Sequence, residues 1–160
     1  MTNTEALAGS ALCRYIEDED VELVYGISAV QELSAGQNVF CEGDPGGSLF
    51  VLLTGKVDVW KKAGASEMKH LATLGAGEII GEISLVDSSP RSALVTTASP
   101  CTLLELTRRA LMGLLRTQPI VAARILWAIL ETVSLRLRDM NSEAVRWQIH
   151  ELACLPKADI

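Results

Sequence analysis

Gly75–Thr97, GAGEIIGEISLVDSSPRSALVTT, is the segment around which the chain is organised. Glycine turns open it, and a short apolar-bounded piece, Glu82-Ile83-Ser84-Leu85, follows. A polar turn, Asp87-Ser88-Ser89-Pro90, then presents Arg91 ahead of an extended run, Ala93 to Thr97. A buried carboxylate and a buried guanidinium beside glycine-freed backbone amides suit a small anion that also carries hydroxyls. Arg matches such an anion better than Lys, because its planar fork offers paired donors and stays protonated. Pro90 restricts Ser89 to extended conformations and so helps fix the arm. Gly81 ahead of Glu82-Ile83-Ser84-Leu85 is placed to start a short helix whose first amides add donors. Glu82 would repel the anion itself, so it makes sense as an acceptor from a ligand hydroxyl.

Outward from this segment, nine of the twelve glycines fall between residues 36 and 81. They punctuate short apolar runs: Val39-Phe40, Leu49 to Leu53, Val57 to Trp60, His70 to Leu74 and Ile79-Ile80. Extended runs with turn signals every several residues predict an antiparallel β-roll or jelly-roll barrel over about residues 30–106, completed by Leu94 to Thr97 and Thr102 to Leu106. Residues 1–9 are polar or small and are expected to fray. Two short helices are expected over about 10–25, the acidic run Glu17 to Asp20 permitting a break and a fresh helix start.

After Leu106 the period becomes helical. Thr107 can cap a short helix over 108–116, and Pro119 suits the first position of the next. In that helix Leu126, Leu130, Val133, Leu137, Met140, Ala144 and Trp147 are separated alternately by 4 and 3 residues. Such a seam prefers a partner helix, so a homodimer through 119–147 is expected; the alternative is a helix lying on its own barrel. The expected class is therefore mainly β with flanking helices, with short N-terminal helices and a C-terminal helix pair. One domain spans 10–147, and 148–160 form a tail.

The bulk numbers fit a packed globule: 160 residues, 49% hydrophobic, 21% charged. A net charge of −6 disfavours a broad nucleic-acid or anionic-membrane surface. The four cysteines, at 13, 41, 101 and 154, lack metal-ligand spacing and read as free thiols of a reducing compartment. The most apolar region, Leu111 to Leu135, is interrupted by charges, and no signal sequence opens the chain, so it reads as cytoplasmic. His70 and His150 are isolated and read as surface or strand-filling residues; no metal site, cofactor or catalytic residue is expected. Lys61-Lys62 reads as part of a hairpin turn.

The residues as a set resemble the cyclic-nucleotide-binding domains of the cyclic-AMP receptor, kinase regulatory subunit and ion-channel superfamily. Two signatures carry the resemblance: Val39 to Gly55 (VFCEGDPGGSLFVLLTG) and Ile80 to Thr97, the phosphate-binding cassette, with its Gly-Glu pair, Ser84, Arg91, Ser92 and Ala93. Ile80 stands where many members carry Phe, a difference that affects packing. The resemblance implies Glu82 on the ribose 2′-hydroxyl and Arg91 on the cyclic phosphate. The Ile83 and Ser84 amides, with Gly81 and Ser92, would complete the cradle. A hydroxyl after the arginine can contact guanine in some members, yet occurs in cyclic-AMP binders too, so cyclic AMP and cyclic GMP both stand. Arg138, Met140 and Asn141 are lid candidates over the base, with Trp147 as a stacking cap. The implied role is a non-enzymatic sensor coupling binding to movement of the C-terminal helices and acting through an unidentified protein effector. Bacterial regulators of the superfamily append a helix-turn-helix domain. The residues after Met140 are expected to hold none, so the chain is expected either to stand alone, acting through a partner, or to be a fragment of something longer; no nucleic-acid partner is expected in this chain, and no membrane partner given its charge. Two bland readings remain: Glu82 and Arg91 pair with each other in a barrel without ligand, and the chain is a dimerising interaction module.

Overall fold

The computed structural model describes the backbone of residues 1–153 and the side chains of residues 1–142. The order is α1 (Asn3–Ala8), α2 (Asp18–Gly26), β1 (Ala29–Leu33), β2 (Asn38–Phe40), β3 (Ser48–Thr54), β4 (Lys56–Lys62), β5 (Met68–Gly75), β6 (Ile79–Ile80), α3 (Glu82–Asp87), β7 (Leu94–Thr97), β8 (Cys101–Thr107), α4 (Arg108–Thr117) and α5 (Pro119–Ala153). The strands form two four-stranded antiparallel sheets, ordered β1-β8-β3-β6 and β2-β7-β4-β5. This is the expected β-roll with flanking helices.

The apolar run at β3 explains how the two halves of the molecule meet. Alternate strand residues point to opposite faces, and here both faces are covered. Leu49, Val51 and Leu53 join a core shared with Leu7, Leu12, Val24, Leu111, Leu114 and Ile125 of the helical layer. Phe50 and Leu52 turn the other way, onto Val57, Ile80, Val95 and Leu103 inside the roll. β8 repeats the pattern, with Leu104 and Leu106 on the helical side and Cys101 and Leu103 inside. Cys13, Cys41 and Cys101 are free thiols; burial pushes the Cys13 thiol up to about 11, opposed by its hydrogen bond with Ser10.

The helical ends correct the sequence reading in two places. Residues 3–8 form a helix: Thr2 and Glu5 make a capping box, and Leu7 is fully buried. Residues 10–17 are turns rather than a first helix, while α2 starts at the acidic run, as expected. At the other end Thr107 caps α4 by accepting from the Ala110 amide. α5 runs 35 residues, roughly 50 Å, and so continues past residue 147 to Ala153. No helix among the described residues is long and apolar enough to cross a membrane.

The seam on α5 is divided. Leu126 and Val133 pack against the chain's own core, whereas Leu130, Leu137 and Met140 stand exposed. Ile120 and Trp127, also exposed, add apolar area beside the seam. The side chains of Ala144 and Trp147 lie outside the described residues.

Candidate functional site

The site is assembled where β3, β6, α3 and the segment before β7 converge. Arg91 is 5% exposed, and its guanidinium stacks on Phe40, 4.4 Å from the ring centroid, with Phe50 at 5.5 Å. Its Nη1 donates to the carbonyls of Ser48 at 2.6 Å and Gly81 at 3.2 Å, and its Nη2 donates to Ser48 Oγ at 2.8 Å. Three of the five guanidinium protons are thereby used. The Nε proton is buried without a partner. Among the described residues no carboxylate lies within ion-pair distance of this cation. Burial pulls its pKa below the ordinary guanidinium value, while Glu105 and Asp44, farther off, oppose that. A buried cation with an unpartnered donor and no carboxylate in pairing distance among the described residues has the chemistry to take up a small anion.

The backbone around Arg91 is clamped on both sides. Its amide donates to the Asp44 carbonyl and its own carbonyl accepts from the Gly43 amide. The loop carrying these groups approaches so closely that a Cβ on Gly46 would lie 2.2 Å from the Ser89 carbonyl and 2.5 Å from Ser84 Cβ. Gly81, at φ +76°, caps α3, and a Cβ there would meet Arg91 Nη1 at 2.4 Å. Gly46, in the first signature, lets that loop serve as the floor of the cassette, and Gly81, in the second, leaves room for the Arg91 fork. The amides of Ile83 and Ser84 fall in the first turn of α3, where no intrahelical carbonyl is available to them.

Glu82 is also 5% exposed, and it does not pair with Arg91. Its Oε1 accepts from Arg136 Nη1 at 2.5 Å, and Arg136 Nη2 donates to the Ile79 carbonyl, also at 2.5 Å. The bland reading in which Glu82 and Arg91 neutralise each other is therefore set aside. Oε2 makes no hydrogen bond among the described residues and is left to accept from a ligand hydroxyl. Arg136 was missed in the sequence because it lies off the apolar seam. Its helical phase, on the side of α5 that carries Ile125 and Ile129 toward the core, was the available signal.

The other candidates spread out. Ser92 is exposed. Arg138, Met140 and Asn141 are exposed on α5, without a hydrogen bond from their side chains to the cassette. Trp147 falls outside the described side chains, as does His150. Lys61 and Lys62 end β4 rather than occupying a turn, because β4 and β5 pair as far as Lys62 with Met68. His70 sits on β5, its Nε2 2.9 Å from Asp58 Oδ1 and its ring edge-on to Trp60. The Thr73 hydroxyl and then His70 hold the Asp58 carboxyl below the usual range. This cluster is a strand-surface network, as expected for an isolated histidine.

A β-roll that buries an unpaired arginine and a carboxylate under a long helix defines a small-ligand binding domain. The model for the cyclic nucleotide-binding domain matches residues 30–118, and the chain belongs to that family. It is 32% identical over 142 residues to the cyclic AMP receptor protein of Thermus thermophilus, covering 89% of this chain and 65% of that protein. A cyclic nucleotide-binding domain from Methylobacillus flagellatus superposes with a TM-score of 0.83 at 28% identity, covering 89% of this chain and 83% of that one. The c-di-GMP responsive global regulator CLP of Xanthomonas campestris superposes with a TM-score of 0.73 at 28% identity, over 88% and 66%. The chain thus spans just under two thirds of the receptor protein and of CLP.

The close approach at Gly46 gives a direct test. Gly46→Ala should lower stability by about 1–3 kcal/mol through overpacking against Ser84 and Ser89, read as a lower urea midpoint. An unchanged midpoint would show that the loop yields at no cost and is not the rigid floor described.

Proposed function

We propose that the chain is a cyclic-nucleotide sensor in which the cyclic phosphate accepts from the unpartnered Nε of Arg91 and the ribose 2′-hydroxyl donates to Glu82. The observation that carries this reading is the buried, unpaired Nε of Arg91. Leaving such a donor unmade costs free energy that an anion recovers. The amides of Ile83 and Ser84, preceded by Gly81, and the hydroxyl of Ser92 complete the cradle. Cyclic AMP leads as ligand because the Thermus relative is named for it, with cyclic GMP second. CLP is named for c-di-GMP, so that dinucleotide belongs among the ligands tried. No bound cofactor or metal enters the scheme, and no reaction is catalysed.

Binding becomes signal when ligand prefers one helix arrangement over another. Arg136 supports such a path, since it ties α5 to the very carboxylate that receives the ribose. A ribose hydroxyl arriving on Glu82 changes the charge balance that holds Arg136. The exposed Leu130, Leu137 and Met140 support a homodimer through α5, in which Arg138, Met140, Asn141 and Trp147 would serve as lid residues. An unidentified protein effector remains the proposed output. The expectation that nucleic acid plays no part is not carried forward, since CLP is named a global regulator linked to gene expression. The interaction-module alternative is less favoured, because a barrel without ligand has no use for an uncompensated buried cation.

Three measurements test this reading. Nucleotide at a hundredfold excess over its dissociation constant should add about 2.7 kcal/mol, a rise of about 5–10 °C in Tm. Arg91→Ala and Glu82→Ala should abolish that rise; no rise with cyclic AMP, cyclic GMP or c-di-GMP at millimolar concentration would sink the sensor. Arg136→Ala should still bind through Arg91 but lose the ligand-induced change in hydrogen exchange along α5; a full response would remove Arg136 from the path. Leu137→Glu should convert a dimer to a monomer in sedimentation, and an unaltered mass would rule out the seam.

A further inference from the structure

α4 contains two residues that its own stability does not require. Arg108 and Arg109 open the helix, and its first turn holds no acidic residue. A cation there opposes the positive end of the helix dipole. Arg108 has a local use, since its Nη1 donates to the Ser88 hydroxyl. Arg109 is exposed and takes part in no ion pair among the described residues. The second residue is Gly113, in mid-helix, where glycine is a poor helix former. A Cβ on Gly113 would meet nothing within 4 Å, and its φ is not positive. Neither space nor conformation within this chain demands a glycine there.

Both residues lie on one stripe. Arg109, Met112, Gly113 and Arg116 follow the i, i+3, i+4, i+7 spacing of a single helix face. Met112 is 48% exposed. Arg116 is exposed and, like Arg109, has no ion pair among the described residues. Beside the stripe a groove of about 480 Å³ opens between α4 and α2, floored by Leu23, Ile27, Ala110 and Leu114. Arg109 and Arg116 stand on its rim, a basic edge on a chain whose net charge is −6.

We propose that this face of α4 and α2 is a docking site for an acidic amphipathic helix of a partner protein. The bare backbone at Gly113 lets a second helix lie close, and the groove floor takes its apolar side chains. Met112 adapts to whatever apolar shape arrives. Arg109 and Arg116 are seven residues apart, roughly 10 Å along the axis. That distance matches two carboxylates separated by two turns on a helix lying alongside. Helix-in-groove recognition works through apolar anchors at this spacing, and the complementary charges set orientation and register. A basic partner has the wrong sign for this rim. The docking site stands independently of the nucleotide reading of Arg91, and it gives the protein effector of the sensor scheme a place to bind.

A displayed library of helix-biased peptides of about 16 residues, long enough to span the stripe, tests this on the full chain. Selection should enrich peptides that carry carboxylates about seven residues apart around an apolar stripe. Titrated by fluorescence anisotropy, the enriched peptides should bind the Arg109→Glu, Arg116→Glu double variant about tenfold more weakly than the parent, and added salt should weaken parent binding. Gly113→Leu should weaken binding by a similar factor while keeping Tm at or above the parent, since leucine is the better helix former and its Cβ has room. Should Gly113→Leu lower Tm instead, the double variant, altered only at exposed side chains, decides alone. Enrichment without acidic residues, or binding that either folded variant leaves unchanged, overturns the proposal. So does a face taken by another occupant: co-sedimentation with phosphatidylglycerol vesicles, or self-association of the chain, lost in the same variants in place of peptide binding. Failure of the thermal shift with nucleotide leaves this site standing, and loss of the peptide leaves the nucleotide site standing.

Discussion

The positive charge of Arg91 is buried with no carboxylate in ion-pair distance among the described residues. The cost of desolvating a guanidinium is several kcal/mol even after relaxation, and the chain meets it only in part. Two phenylalanine faces, two carbonyls and one hydroxyl surround Arg91, and they leave its buried Nε proton without a partner. Much of the local sequence serves to hold this arrangement. Gly46 lets the loop press on the cassette, and Gly81 leaves room for Nη1 while turning the chain into α3. Ser48, at the start of β3, contributes both its carbonyl and its hydroxyl to the same cation.

Glu82 is buried to the same degree as Arg91 but resolved differently. Its partner, Arg136, comes from a helix 54 residues further along the chain. The contact makes α5 part of the pocket rather than a neighbour of it, and the second bond, to the Ile79 carbonyl, fixes the angle at which the helix crosses. On the N-terminal side α5 is fastened again. Glu131 takes an ion pair from Arg14 and a hydrogen bond from Tyr15, and Arg124 pairs with Glu17. The helix is thus held polar-to-polar on the two sides of its first half, while its exposed leucines face outward.

The β-roll was legible because glycine punctuation and short apolar runs are local signals. Every run named in the sequence became a strand. β1 was nearly invisible, since Ala29–Leu33 is mostly exposed and carries a weak alternation. α1 was missed because its six residues depend on a capping box and one buried leucine, Leu7, rather than on any periodicity. Within the site, Gly81, Glu82 and Arg91 could be read because they lie close together in sequence. Arg136, Ser48 and Phe40 could not, because each reaches the cassette from another element, and their roles exist only once the strands have paired. The seam on α5 was read as a pattern, but a pattern does not say which half faces the chain's own core.

The double coverage of β3 leaves the molecule without a compliant layer between its two cores. Leu49, Val51 and Leu53 pack on the helices while Phe50 and Leu52 line the roll, and interiors at this density transmit strain instead of absorbing it. In the proposed sensor α5 would act as a lever with its fulcrum near Arg136. From there to Ala153 is 17 residues, roughly 25 Å of helix. A tilt of about 5° at the pocket would carry the far end by about 2 Å, on the order of the helix shifts that switch subunit interfaces.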